Sequence, residues 1–439
     1  MRVRFWGTRG SIATPGPDTV RFGGNTSCVS LTTNAGAHFI LDCGTGARAL
    51  GAALMAQPVK PIVATILLSH THWDHIQGFP FFTPLFVPGN RITVCGPEGS
   101  AGSLRDVLSG QMEFTYFPIE LGQLPATIAF RELSEGAHEI GGARVIAQYL
   151  HHPAMTLGYR IEVDGAAVVY LCDHEPYSET LWHGDLSPNY AGSIVHEGDR
   201  RHARFMEGAG LVIHDAQYTP EEYPSKKTWG HSTYEYAVGL AAAAGVQRLV
   251  LTHHDPTHDD TFIAALETRA RAYAKQIGCA VEVCCAYEGL DLTVAPHGVQ
   301  YLAETPPTPH AGHDILRCSR ILVVDDDPDI RALATQALSQ DGHIVTEASN
   351  GPEALVAIDA QAPDLLVLDL MMPVVGGLEV LKILRSRPAT AALPIVLLTA
   401  MDDEANTRAG FELGATDYLT KPFSIPQLAA RVRACLTRT

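Results

Sequence analysis

The chain has 439 residues, of which 46% are hydrophobic, 18% charged and 7% aromatic, and its formal net charge is −17. That length exceeds one ordinary domain, and the apolar content excludes a disordered chain and supports a core that needs no disulfide staples. The acidic balance argues against a protein that lives on nucleic acid, whose phosphates require a basic footprint.

No apolar run approaches the roughly 20 residues needed to span a bilayer. The opening residues Met1–Gly10 carry no signal-peptide apolar region. The 9 cysteines are odd in number, scattered and without CxxC pairs, a pattern of reduced thiols rather than a disulfide or zinc-ribbon framework. A soluble cytoplasmic enzyme or regulator without a membrane partner is expected. Of the 20 histidines, only His343 lies beyond the proline-rich joint described below.

Near the start, Phe5–Gly16 and Phe22–Cys28 are Gly-rich loops carrying Asn25, Thr26 and Ser27, residues able to approach phosphate oxygens closely. Short β-type runs are predicted at Cys28–Thr32, His38–Leu41 and Ile62–Leu68, with a helical pattern at Thr45–Met55. The last run leads into Leu67-Leu-Ser-His70-Thr-His72-Trp-Asp74-His75, where four potential metal ligands fall directly after an apolar strand. In an extended turn His70 and His72 point the same way, because side chains at i and i+2 share a face. Asp74 and His75 follow as the chain bends toward a helix, where they can serve a neighbouring second cation. Imidazole and carboxylate suit Zn²⁺, Mn²⁺ or Fe.

This HxHxDH run resembles the signature of the metallo-β-lactamase-fold hydrolases, and the resemblance extends over about Met1 to Val294. It implies an αββα sandwich and further ligands downstream. Tyr149–Pro153, Val168–Asp173 and Arg248–Pro256 each end a strand-like run in imidazoles or a carboxylate. By the resemblance, His70, His72 and His152 hold a first metal, Asp74, His75 and His253 a second, and Asp173 bridges them. His152 is preferred to its neighbour His151, and His253 to His254. Asp42, after Phe39-Ile-Leu, matches another family motif and implies orientation of a ligating histidine; a helix cap is its plain alternative.

Leu211–Ala216 ends a strand in Asp215, and Trp229-Gly-His231-Ser-Thr233 opens a helical pattern running over Thr233–Ala244. Together they resemble the acid–histidine pair of the ribonuclease Z and phosphodiesterase branch, which implies that His231, supported by Asp215, donates a proton to a departing oxygen. Lys226 and Lys227 can attract a phosphate or form a solvated charge pair. No protruding Lys/Gly-rich arm is present to grip a transfer RNA, so a small phosphodiester, cyclic or linear, is the expected substrate. A lactone, ester or thioester hydrolase is the enzymatic alternative, and a non-catalytic scaffold with a metal platform is the other. A flavodiiron-type oxidoreductase is disfavoured, because it wants a Glu where His72 stands.

Residues 296–319 hold several prolines and no sustained periodicity, and are expected to link a first domain of residues 1–295 to a second of residues 320–439. Beyond the joint, strands Ile321–Val324, Leu365–Leu368, Ile395–Thr399 and Tyr418–Leu419 alternate with helices Pro328–Gln340, Gly377–Arg387, Asp403–Leu413 and Ile425–Leu436. Short apolar runs separated by helices indicate a parallel sheet buried on both faces, in an α/β arrangement. Strand ends carry Asp325 and Asp326, then Asp369, Thr399 and Lys421.

The set resembles the receiver domain of bacterial response regulators, a flavodoxin-like (βα)5 fold. The resemblance implies that Asp369 accepts a phosphoryl group, that Asp325 and Asp326 bind Mg²⁺, and that Thr399, Tyr418 and Lys421 form the switch, with a cis Lys421–Pro422 bond. It also implies a sensor histidine kinase as phosphodonor and is compatible with a homodimer. The expected whole is a response regulator whose output is a dinuclear metallohydrolase.

Overall fold

The computed structural model describes residues 1–99, 102–182, 193–296, 298–302, 319–340, 343–373, 375–400, 413–421, 423, 428, 431–432 and 435–436. They belong to two compact units, Met1–Thr308 and Pro309–Thr439. No helix among the described residues is long and apolar enough to cross a membrane.

The first unit begins with β1 (Arg2–Gly7), β2 (Cys28–Thr32), β3 (His38–Leu41), β4 (Val63–Leu67), β5 (Arg91–Pro97) and β6 (Thr127–Leu133). A second sheet follows, built of β7 (Gly136–Ile140), β8 (Ala143–Tyr149), β9 (Leu157–Val163), β10 (Ala166–Leu171), β11 (Leu211–Asp215), β12 (Arg248–Thr252) and β13 (Glu282–Cys285). The chain then returns to the first sheet with β14 (Asp291–Ala295) and β15 (Gly298–Tyr301). The sheet orders are β15-β14-β1-β2-β3-β4-β5-β6 and β13-β12-β11-β10-β9-β8-β7.

The two-residue repeat of a strand decides which core each side chain joins. In β3, Phe39 and Leu41 turn inward to meet Tyr159, Ile161 and Val169 of the second sheet. Ile40 between them turns outward, beneath Leu50 and Leu54 of α1 (Ala47–Ala56). Short helices α2 (Trp73–Ile76) and α3 (Leu104–Gly110) lie on the same outer side of the chain's course. The second sheet is covered by α4 (Glu197–Met206), α5 (Tyr234–Ala243) and α6 (Asp260–Gln276). Every residue of β11 and β12 is buried, as expected of strands covered on both faces. Two sheets with helices outside make the expected αββα sandwich.

One boundary differs from the sequence reading. Gly298–Tyr301, expected to open the linker, form β15, whose Val299 pairs with Val294 of β14. Pro296 therefore marks a hairpin turn within the sheet and not the end of the unit. Most of the remaining linker, residues 303–318, lies outside the described residues.

The second unit alternates β16 (Arg320–Val324), α7 (Pro328–Gln340), β17 (Ile344–Ala348), α8 (Gly351–Ala360), β18 (Leu365–Asp369), α9 (Gly377–Ser386), β19 (Ile395–Ala400) and β20 (Asp417–Lys421). All pairings are parallel, in the order β17-β16-β18-β19-β20. Leu322, Val324, Leu366 and Leu368 enter one core, while Ile321, Val323, Leu365 and Val367 enter the other. This is the flavodoxin-like sheet. The helices expected over Asp403–Leu413 and Ile425–Leu436 fall largely outside the described residues. So does Pro422, and with it the expected cis bond.

Candidate metal centre

Loops leaving β3, β4, β8, β10, β11 and β12 bring their polar residues to one end of the sandwich, where a rigid scaffold can hold them. Asp42 follows β3, and the run Ser69–His75 follows β4 and enters α2. His152, Asp173 and His253 lie just past β8, β10 and β12. Asp42, Asp173 and His253 all take the left-handed backbone region, at φ 57°, 62° and 63°. Asp and His are among the few non-glycine residues that tolerate it, and such strain gathers where geometry serves a site.

The Asp173 carboxylate faces a different set of imidazoles with each oxygen. Its Oδ2 lies 3.4 Å from His70 Nε2 and 3.7 Å from His152 Nε2, which is itself 3.3 Å from His72 Nδ1. Its Oδ1 lies 3.3 Å from His75 Nε2 and 3.1 Å from His253 Nε2. Those two nitrogens also meet Asp74 Oδ2, at 3.3 and 3.1 Å. Donor atoms of His70, His72, His152 and Asp173 fall within 4.8 Å of one another, as do those of His75, Cys172, Asp173 and His253.

Among the described residues, His70 Nε2, His75 Nε2 and Asp173 Oδ1 are buried without a hydrogen-bond partner. Buried polar atoms are rarely left so, because each costs about 1–3 kcal/mol. Converging imidazole and carboxylate donors with unmet valence therefore fit divalent cations, which the fold also implies.

The far sides of these groups are held firmly. Asp42 Oδ2 lies 2.8 Å from His75 Nδ1, so His75 donates from Nδ1 and offers Nε2 to the centre. His152 Nδ1 donates to the Gly230 carbonyl at 3.0 Å, and His253 Nδ1 to Gln217 Oε1 at 2.9 Å. Such partners fix tautomer and ring orientation in metal sites. The Ser11 N–H donates to Asp74 Oδ2 at 2.7 Å, and Gly10 packs so closely on the His253 ring that a Cβ would collide with it. The alternatives point elsewhere: His151 Nδ1 meets the Glu175 carbonyl at 3.0 Å, and His254 Nε2 the Ala286 carbonyl at 2.9 Å.

Burial lowers the pKa of His70, His72 and His152, so these rings are neutral and able to ligate. For Asp74, burial acts upward, but His75 and His253 outweigh it and hold the carboxyl well below its usual range. Asp173 behaves alike, with His253, His75 and His70 overcoming its burial. His75 is raised despite burial, because Asp74, Asp173 and Asp42 surround it.

Beside this centre, His231 Nδ1 lies 2.7 Å from Asp215 Oδ2, and donor atoms of both fall within 4.8 Å of Asp173 and His253 donors. Burial pushes the His231 imidazole down, but Asp215 and then Asp173 outweigh it and raise it to about 9. Thr233 caps α5 by accepting from the Tyr236 N–H at 3.2 Å, which fixes the backbone just after His231.

Four contributors escaped the sequence reading. Gln217 and Glu175 stand two residues beyond Asp215 and Asp173, in loops where no local pattern marks them. Cys172 and Tyr218 carried no signal beyond adjacency to candidate residues.

In the second unit Lys421 Nζ bridges Asp325 Oδ2 at 2.6 Å and Asp369 Oδ1 at 2.8 Å. Carboxylate oxygens of Asp325, Asp326 and Asp369 gather within 4.8 Å of one another, a hard oxygen set that fits Mg²⁺. Burial raises the Asp369 carboxyl, offset in part by Lys421. Thr399 Oγ1, near the end of β19, is buried with no partner among the described residues. Tyr418 lies in β20, 36% exposed.

Residues 38–254 match the family model of the beta-lactamase superfamily domain, and residues 321–433 that of the response regulator receiver domain. The response regulator MprA of Mycobacterium ulcerans is 50% identical over 120 residues, covering 27% of this chain and 51% of that protein. The matched stretch thus spans about half the length of such curated relatives. The solved receiver domain of NtrX from Brucella abortus is 31% identical at a TM-score of 0.26, covering 27% of this chain and 99% of that one. The metallo-beta-lactamase fold protein YhfI from Bacillus subtilis is 17% identical at a TM-score of 0.46, covering 66% of this chain and 97% of that one. The chain thus joins a beta-lactamase-superfamily domain to a response regulator receiver domain.

Proposed function

We propose that the first unit is a dinuclear metal-dependent phosphodiesterase acting on a small phosphodiester, and that phosphorylation of Asp369 modulates it. The observation that carries this reading is the Asp215–His231 pair, 2.7 Å apart, within reach of the Asp173 and His253 donors. An aligned, protonated imidazole beside a cation centre is what a departing alkoxide needs.

In this assignment His70, His72 and His152 would hold one cation, Asp74, His75 and His253 the other, and Asp173 would serve both. Zn²⁺ is the first choice, with Mn²⁺ or Fe also suited to the donors. When bound, such cations supply Lewis acidity and neutralise charge on a phosphoryl group. His231 donates its Nε2 proton to the leaving oxygen, while Asp215 keeps the Nδ1–H in place and stabilises the charged ring. Asp42, Gln217 and the Gly230 carbonyl keep three imidazoles turned toward the centre. A thioester would leave as a stable thiolate and has little use for such an acid.

In the receiver, the Asp369 carboxylate attacks the phosphoryl group carried by a sensor kinase histidine; the P–N bond breaks and an acyl phosphate forms. Asp325 and Asp326 would hold Mg²⁺ there, which offsets phosphoryl charge. Lys421 and Thr399 would contact the new phosphoryl oxygens, as the receiver resemblance implies, with Tyr418 as the aromatic switch.

The test is a panel of cyclic and linear phosphodiesters, lactones and thioesters on metal-loaded protein, with His231→Ala beside wild type. Phosphodiesters should be the best substrates, and the variant should lose far more rate with poor alkoxide leaving groups than with activated nitrophenolates. Equal losses for both leaving groups, or preference for a lactone or thioester, would overturn the assignment.

A further inference from the structure

Lys226 and Lys227 are adjacent in sequence, yet the structure gives them different surroundings. Lys227 is ion-paired with Glu179. The Lys226 ammonium lies 4.2 Å from the centroid of the Trp229 ring and 5.8 Å from that of Tyr218. Among the described residues no carboxylate pairs with it. The neighbouring acids are engaged elsewhere: Glu175 accepts from Tyr223 Oη, the Thr228 N–H and the Gly230 N–H. Glu222 accepts from Thr219 and meets His258, and Asp215 holds His231.

Tyr218 connects this cation to the catalytic pair. Its ring meets that of His231 edge-on, with centroids 5.9 Å apart. It is 1% exposed, and its hydroxyl has no hydrogen-bond partner among the described residues, a condition it shares with donor atoms of the metal centre. Tyr218 thus lies against both the His231 ring and the Lys226 ammonium, which puts the cation on the His231 side of the centre. An ammonium seated on aromatic faces keeps its charge but has shed part of its water, so an anion meets it at reduced desolvation cost.

We propose that Lys226, Trp229 and Tyr218 form a second anion subsite on the leaving-group side, so that the favoured substrate carries a phosphate on its leaving group in addition to the scissile phosphodiester. This rests on the phosphodiesterase reading and narrows its substrate class. Lys226 supplies the charge, Trp229 holds the ammonium in place, and the Tyr218 hydroxyl is the remaining donor.

Calorimetric binding of α,ω-alkanediol bisphosphates with two to six carbons, and of the matching alkyl monophosphates, to the metal-loaded full chain tests it. At least one bisphosphate should bind about 10-fold more tightly than its monophosphate, the scale of one charge-assisted contact. Lys226→Met should abolish that gain and leave monophosphate affinity within about twofold, whereas Lys227→Met should preserve the gain. No gain at any length, or equal effects of the two substitutions, overturns the subsite while monophosphate binding keeps the parent reading. If monophosphates do not bind and no phosphodiester is cleaved, both fall together.

Discussion

Gly230 joins Glu175 to the metal centre: its N–H donates to Glu175 Oε2 at 3.0 Å, and its carbonyl accepts from His152 Nδ1 at 3.0 Å. Glu175 also takes the Thr228 N–H at 2.7 Å, so one buried carboxylate secures the loop that aims His152. Glu175→Gln turns a donor toward one of these N–H groups. It should weaken the site holding His152 by about 10-fold while leaving the site of Asp74, His75 and His253 within about twofold. Cobalt titration with two resolved binding steps checks this; equal weakening of both steps would mark a general loss of structure.

Asp42 is fully buried and accepts from the Ser69 N–H at 2.7 Å, Ser69 Oγ at 2.9 Å, Tyr170 Oη at 2.7 Å and His75 Nδ1 at 2.8 Å. Asp42→Asn keeps the shape but sets an amide N–H against donors. The expected outcome is a loss of about 10–100-fold in metal affinity on the His75 side, with a lower melting temperature. Unchanged affinity would mean that Ser69 and Tyr170, and not His75, are the reason for a carboxylate there.

The pH dependence of stability should carry the signature of His202 and His214. His214 Nδ1 donates to the Asp215 carbonyl at 2.6 Å, so its Nε2 accepts from His202 Nε2, 3.0 Å away. Both rings are fully buried, and burial lowers both pKa values below the ordinary histidine range. The unfolded chain then binds protons that the folded one refuses as pH falls below about 6.5, so stability is full above that value and lost below it. Metal-free wild type should lose thermal midpoint more steeply between about pH 7 and 5 than His202→Gln, which keeps a donor and removes one titration. Parallel slopes would refute this.

Phosphorylation with acetyl phosphate should form an acyl phosphate on wild type and none on Asp369→Asn. Coupling between sites usually amounts to about 1–3 kcal/mol, so turnover should change by about 5-fold or more on phosphorylation. Rates that are the same for the phosphorylated protein and for Asp369→Asn would separate the receiver from the hydrolase.

Much of the architecture was legible because strand, turn and acid coincide along the chain. Val168–Asp173 and Leu365–Asp369 each read as an apolar run ending in a carboxylate; β18 does end at Asp369, and Asp173 follows two residues after β10. The choice between His151 and His152 was not legible from spacing. It depends on how the chain turns after β8 and on the Gly230 carbonyl, 78 residues away. The choice between His253 and His254 depends on a positive φ at His253 that no local pattern announces. The supporting partners Glu175 and Gln217 were hidden for the same reason, since their roles exist only once distant loops meet. β15 was missed because four residues beside prolines give too short an alternation to read.

The central claim is that Asp173 stands between two bound cations. Anomalous diffraction at the absorption edge of the loaded metal measures this directly. The account predicts two peaks, one beside His70, His72 and His152 and one beside Asp74, His75 and His253, with Asp173 reaching both. A single peak, or none within ligand distance of Asp173, would contradict it.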